Sequence, residues 1–470
     1  MTVRLERRSD ITLEVFERVS WHQEPVEIAP AALATMDRCH GAFEALIADR
    51  LATDPNAQIY GITFGPGDAG SVDPANDTRP TKLWTAASFG EPLPERVVRG
   101  IVVARLANFI EGHTASRSLV ASAIAAMLDP FIPIPTVPAQ GNGGAGEILS
   151  LGHLFYDLSE KLLLEPKERM AVINGSPCAA ALIADVALAA RGRTALAESV
   201  FALSVEALGS PLEAYSEDVD LLWGDEFESA ALRSLRGLLR DHRPQRMARQ
   251  SPVSHRILGR VLGQNRRAAA EAERAAAVSL ASVTDNPVYI PPDANRPLGT
   301  VFSTGGFHNA WAPAALDGVA FAWADLCQLA QRHTDQLFQH PATAPLLAAH
   351  EFGFKPLHMV MNGWAEEARS LAQPTLLSLG AFGQNDVPAQ SFPAWRKATS
   401  IGHCLDASLA IVATLAAHAL AAGEQPVPTE LRAVADEVHK HVPAGQEVRR
   451  RGPELAGLTQ AFARHAGRVT

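Results

Sequence analysis

From Glu95 to Ile110, Val98, Ile101, Val102, Arg105, Leu106 and Phe109 recur at the 3.6-residue spacing of a helix that buries one face. Pro92 and Pro94 mark its entry. A second apolar stretch, Leu119 to Leu128, ends at Asp129-Pro130. The 17 residues that follow, Pro130 to Gly146, hold four prolines, a run of glycines and no charge, which predicts a long loop. Loops of this length inside compact domains usually have a function of their own, and Phe131, Ile132, Ile134 and Val137 give this one apolar content. Helical periodicity then resumes over Leu149–Leu164, Lys167–Leu208, Phe227–Leu239, Ser254–Ser282, Trp311–Phe338, Met359–Gln373 and Ser400–Ala422. Residues 283–308 and 376–399 are irregular and carry Gly, Pro, Asn and Thr. No fixed repeat or low-complexity segment interrupts the pattern, which predicts an all-α protein.

Length and composition narrow this. At the usual domain size 470 residues suggest about three domains, but the alanine-rich helical pattern argues for one large body. With 47% apolar and 20% charged residues the chain can build an extensive core. The 41 basic and 51 acidic side chains leave a net charge of −10, which argues against a nucleic-acid binder. Ala407–Gly423 is uncharged over 17 residues but includes Ser408, Thr414 and His418. It falls short of the roughly 20 residues of a bilayer span and reads as a buried bundle helix. Cys39, Cys178, Cys327 and Cys404 are scattered without a CxxC pair, and the chain starts with the charged MTVRLERRSD. A cytoplasmic protein without membrane partners is the expectation.

No metal-ligand constellation stands out: HExxH is absent, and His439-Lys440-His441 reads as two solvated histidines in a polar C-terminal segment. The run Gly141 to Gly146 fits neither a GxxxxGK[ST] nor a strand-flanked GxGxxG phosphate loop, so a nucleotide cofactor has no support.

Several irregular segments do carry a signal. Tyr60-Gly61-Ile62-Thr63-Phe64-Gly65-Pro66-Gly67 resembles the YGxNTGFG loop of the histidine and phenylalanine ammonia-lyases and related aminomutases. Gly90 to Leu93, Gly112-His113 with Arg117, and Asn174-Gly175-Ser176 resemble that family's GEPL, GHSxxR and NGT patches. Gln250 to Arg256 lies over QDxYSxR, Thr284 to Pro287 repeats TDNP, Ser303 to His308 is similar to SGGNFH, and Gln384-Asn385-Asp386 stands over QED. The resemblance covers nearly the whole chain in the same order. It implies an all-α bundle with one protomer over residues 1–470: an N-terminal region to 205 bearing the Tyr60 and glycine-rich loops, and helices from 206 to 470. It also implies a homotetramer whose sites combine loops of several protomers. Between His153 and Asn174 there are only twenty residues, where the family usually carries an additional hairpin-like insertion.

The family deaminates amino acids with 4-methylideneimidazole-5-one (MIO), an electrophile made from an internal Ala-Ser-Gly. Here the matching stretch reads Gly144-Ala145-Gly146 and is one residue short, the serine. No Ser or Cys occurs from Gln140 to Leu149, so the expectation is that MIO is absent and no other cofactor or metal replaces it. Asn142-Gly143 could form a succinimide, but a turn is the ordinary outcome of Asn-Gly. Val253 stands where the family has a second tyrosine, Asn385 and Val387 where it has Glu and His around QED, Gly306 for the Asn of GNFH, and Thr85 for a His.

The resemblance assigns the surviving Tyr60 the role of base, Asn174 an amide contact, Arg256 a carboxylate clamp and Phe307 an apolar wall. Gln384 would be a second amide contact, with Phe64, Val253, Val387 and Trp395 making the pocket more apolar. Tyr60 lies in a glycine-rich loop rather than on an apolar helix face, and a phenol acts as base only if neighbours lower its pKa from about 10. Alone, Arg256 reads equally as a surface charge and Asn174 as a helix cap, and Asp386 and His308 read as structural. Two function classes follow. One is an enzyme that isomerises, eliminates or cyclises an unsaturated acid or acyl substrate, in specialised metabolism; the other is a silent homologue with a binding or scaffolding role. A true amino acid ammonia-lyase would need an electrophile for which the chain offers no candidate.

Overall fold

The computed structural model describes residues 2–63, 83, 85–242, 246–247, 250–341, 343–348, 353–378, 380, 383–443 and 450–466. Its helices are α1 (Leu13–Ser20), α2 (Pro30–Thr53), α3 (Glu95–Leu106), α4 (Ser118–Ala126), α5 (Ile148–Lys161), α6 (Pro166–Ile173), α7 (Pro177–Leu208), α8 (Glu217–Trp223) and α9 (Glu226–Leu238). They continue as α10 (Val253–Arg256), α11 (Leu258–Leu280), α12 (Trp311–Gln339), α13 (Ala344–Ala348), α14 (Leu357–Leu371), α15 (Ser391–Ala422), α16 (Arg432–His441) and α17 (Arg451–Ala466). Strands are short: β1 (Val3–Leu5) pairs in parallel with β2 (Val26–Ile28), and β3 (Val288–Ile290) antiparallel with β4 (Thr300–Phe302). Apart from these two small sheets the regular elements among the described residues are helices, the all-α architecture that the sequence predicts.

Periodicity places most helices within a few residues and misses others for identifiable reasons. The run predicted over Lys167–Leu208 is two helices, because Asn174 has extended backbone and Gly175 takes φ 120°, conformations that end an α-helix. Residues 254–282 likewise split at Ile257, between α10 and α11. Helix α2 buries Ala32, Met36, Cys39, Phe43 and Leu46, an i, i+4, i+7 stripe that starts behind Pro30 at the first helical position.

The polar C-terminal segment forms α16 and α17. Helix α16 buries Ala435 and Val438, so His439 lies edge-on against the buried His418 (5.1 Å between ring centroids) and His441 Nε2 is 2.9 Å from Glu437 Oε1. The two histidines are partly covered, not simply solvated.

Two compact units result: Met1–Asp185 with Glu273–Ala315 and Thr375–Arg396, and Val186–Ala272 with Leu316–Pro374 and Lys397–Thr470. Four of their limits fall inside α7, α11, α12 and α15, and the fifth falls between α14 and α15.

In the first unit α3 is buried from Val97 to Leu106. It packs so closely on α1 that a β-carbon on Gly100 would fall 2.5 Å from the Phe16 ring. In the second unit Arg193 grips Asp406 through two hydrogen bonds (2.9 and 2.7 Å) and lies over the buried Trp323 ring. The most apolar window of α15 is 94% buried within the protein. All four cysteines are buried and unpaired.

Candidate functional site

Tyr60 follows α2 in a turn fixed from both sides. Thr63 Oγ1 accepts from the Ile59 amide (2.7 Å) and donates to the Ala57 carbonyl (2.6 Å), while the Thr63 amide donates to Ile59 O (3.0 Å). Ile59 and Ile62 are buried in a cluster with Cys39, Phe43 and Leu46 of α2 and with Tyr289. On the other side Gly61, at φ 76°, lies so close to α6 that a β-carbon there would be 3.0 Å from Met170 Cγ. Tyr60 is thereby held half-buried on a rigid turn. Phe64 lies outside the described residues.

The loop over residues 130–146 is anchored on the Gly90–Leu93 patch. Leu93 N donates to Val137 O and Ala139 N to Glu91 O (both 2.8 Å), and Glu91 N donates to Gln140 Oε1 (3.0 Å). Asn142 Nδ2 donates to Pro138 O (2.8 Å), and Asn142-Gly143 itself is irregular loop rather than the turn expected of Asn-Gly. The loop then reaches Gly146 at φ 62°, where a β-carbon would come to 2.8 Å from Asn174 Oδ1 and 3.5 Å from Phe307 Cβ. Three residues chosen from three separate motifs, Gly146, Asn174 and Phe307, thus meet. Ala389 N donates to Gly144 O (3.1 Å), which brings the 376–399 segment to the same loop. Of Gln384 only the backbone is described, while Asp386 is exposed. Ala145 contributes a methyl group and Gly146 no side chain, so the loop holds nothing that could be dehydrated to a methylidene. The residues present do not fit MIO.

Asn174 is 6% exposed, and its Oδ1 has no hydrogen-bond partner among the described residues. It caps α6 with its amide on Met170 O (2.9 Å), so the helix end sets its position. Its carbonyl accepts from Nη1 of Arg105.

Arg105 is buried and belongs to a charged cluster that pattern reasoning did not single out as a group. Glu147, at φ 59°, directs its carboxylate at the first turn of α7, accepting from Cys178 N (2.6 Å) and Ala179 N (2.8 Å). Burial outweighs these bonds and pushes the Glu147 carboxyl up to about 7. Burial and that neighbouring carboxylate push the Cys178 thiol well up. Burial lowers the Lys167 ammonium, which is paired with Asp285 at 2.5 Å, and pushes the Arg105 guanidinium down as well. One signal was legible: Arg105 falls in phase with the apolar face of α3, and a charge there implies buried partners.

Val253 and Arg256 belong to the second unit. Val253 opens α10 and is exposed; Arg256 is half-buried and donates from Nε to Ser251 O (3.0 Å). Between them His255 is buried, stacked on His333 (4.2 Å between centroids) and hydrogen-bonded through Nδ1 to Ser210 Oγ (2.9 Å). Burial holds His255 well below the ordinary imidazole range. Val387 is 37% exposed. Trp395, expected as an apolar pocket wall, is instead a core residue, 4% exposed, with Nε1 3.4 Å from Asp185 Oδ2. Its place in α15 turns it inward.

Comparison with known proteins agrees with this fold. The model of the aromatic amino acid lyase family matches residues 11–159 and 157–442. A histidine ammonia-lyase of Deinococcus radiodurans is 29% identical over 406 residues, covering 79% of this chain and 73% of that protein. Among solved structures, the ergothioneine-degrading ergothionase of Treponema denticola superimposes with a TM-score of 0.87 at 18% identity over 100% of both chains. The tyrosine aminomutase of Streptomyces globisporus does so with 0.85 at 21% identity, over 99% of this chain and 98% of that one.

Proposed function

The chain belongs to the aromatic amino acid lyase family, and on that premise we propose that it is an enzyme of this scaffold that works without MIO. The observation that carries the reading is the meeting of Gly146 with Asn174 and Phe307. The loop that should bear the electrophile is brought to the amide and the apolar wall, yet contains no residue able to become one. What remains is a tyrosine, an amide and a guanidinium.

In this reading Tyr60 moves a proton on an unsaturated acid or acyl substrate. The product is an isomer, an elimination product or a ring, and no electron sink is required. Asn174 Oδ1, buried and without a donor among the described residues, takes a substrate N–H or O–H, and Phe307 packs against the carbon skeleton; Arg256, in the second unit, is read from its motif alone as a guanidinium fork for an anionic or carbonyl oxygen. Proton positioning contributes about 10²–10⁴-fold, and confinement of a flexible substrate adds to it. We also read the protomer as one quarter of a homotetramer: the exposed Phe89, Phe131, Leu221, Leu222, Leu376 and Leu377 are large apolar side chains of the kind that association covers.

The relatives' names favour a second reading, deamination of histidine or a similar amino acid, which requires an electrophile that residues 140–149 do not supply. Intact-protein mass spectrometry separates the two. The mass equals that of the unmodified sequence if MIO is absent, and a deficit of two waters overturns the proposal. Turnover of unsaturated carboxylic and acyl compounds is then compared between wild type and Tyr60→Phe, with a loss of about 10²–10⁴-fold expected. If no substrate shows Tyr60-dependent turnover, a binding or scaffolding role takes its place.

A further inference from the structure

We propose that His40, Glu44 and Glu165 form a binding site for a divalent first-row cation of the Zn²⁺ class, tying α2 to the start of α6. One ligand atom from each residue lies within 4.8 Å of the others. His40 Nε2 is 3.7 Å from Glu44 Oε2 and 3.6 Å from Glu165 Oε2. These separations are too long for hydrogen bonds. They approach the edge of a metal tetrahedron, about 3.3 Å for metal–ligand bonds of about 2.0–2.1 Å.

The imidazole is oriented for this role. Its other nitrogen, Nδ1, lies 3.1 Å from the Ala115 carbonyl. A carbonyl only accepts, so Nδ1 is the nitrogen that donates there and Nε2 is the one left to face a cation beside the two carboxylates. A ring N–H held by a backbone carbonyl is the outer-shell arrangement that metal-ligating histidines use. The His40 side chain is 14% exposed, against 64% for Glu44 and 38% for Glu165, so the pre-set ligand lies inside and a flexible one faces solvent.

His40 and Glu44 stand one turn apart on α2, the spacing at which two side chains share a face. Glu165 is the residue before α6. Arg117 is committed to Glu168 through Nε (2.8 Å) and Nη2 (2.5 Å) and lies 3.3 Å from Oε1 of Glu165, while Oε2 of Glu165 faces His40.

Helix α2 also carries Cys39 and Phe43, which pack on Ile59 and Ile62, and α6 carries Met170, which touches Gly61. An ion joining the two helices therefore steadies the Tyr60 turn from both sides. The site is independent of whether the protein makes MIO.

The test is isothermal titration of the chelator-stripped, full-length protein with Zn²⁺ alone. One equivalent per chain is expected, weakened at least about tenfold in both His40→Ala and Glu44→Gln. Glu44 is mostly exposed, so its variant keeps the test valid if His40→Ala folds poorly. Hydrogen exchange of the amides of residues 59–63 should slow on Zn²⁺ addition in wild type and not in Glu44→Gln. Absence of a bound equivalent, binding undiminished in both variants, or Zn²⁺ held by sulfur in X-ray absorption each overturns the proposal.

Discussion

A β-carbon on Gly146 would lie 2.8 Å from Asn174 Oδ1, so this position requires glycine for space as well as for its φ of 62°. Gly146→Ala should cost about 1–3 kcal/mol from the left-handed backbone and the close contact together. The cost should shrink in an Asn174→Ala background, where the contact is gone. Urea unfolding of the four proteins of this cycle measures the coupling; full additivity would show that Asn174 does not press on the loop.

Glu147 makes stability depend on pH. Its carboxyl is raised from 4.5 to about 7 in the folded protein, chiefly by burial. The folded state therefore holds this proton more tightly than the unfolded chain does. The resulting stabilisation is complete below about pH 4.5 and is lost as pH rises through about 7, on the order of 3 kcal/mol in all. In Glu147→Gln the unfolding free energy should fall less steeply between those pH values. An unchanged slope would mean that Glu147 does not titrate there.

The buried pair of Lys167 and Asp285, 4% and 0% exposed, should be costly to break from one side. Lys167→Met leaves the Asp285 carboxylate uncompensated and should destabilise by about 3–5 kcal/mol. Lys167→Met with Asp285→Leu should be less harmful than Lys167→Met alone. Guanidinium denaturation of the single and double variants decides this.

Thr63→Val removes the hydroxyl that both accepts from Ile59 N and donates to Ala57 O. A loss of about 1–2 kcal/mol should speed hydrogen exchange of the Ile59 amide by about 5–30-fold, with little change in global unfolding. Any Tyr60-dependent turnover should fall in parallel. Unaltered exchange would show that the turn does not depend on Thr63.

The helical body was written in local pattern. A 3.6-residue apolar repeat is a property of neighbouring positions, so α3, α9, α12 and α14 could be placed from sequence within a few residues. The missing serine was equally legible, because the absence of a residue type needs no coordinates. Where helices break depended on single backbone conformations, as at Gly175, and the long-range partners of those residues are not adjacent in sequence.

The sequence by itself determined the helix class, the family motifs and the absence of Ser and Cys over residues 140–149. Only the tertiary structure decided which motif residues meet. Gly146, Asn174 and Phe307 are far apart along the chain, and their contact arises from the α6 cap and the loop anchored on Gly90–Leu93. It also decided that Trp395 belongs to the core, and that Glu147, Arg105 and Lys167 are buried charges. The physical reason is that burial and ion pairing depend on the whole surrounding shell, which is assembled from segments whose spacing along the chain carries no record of their distance in space.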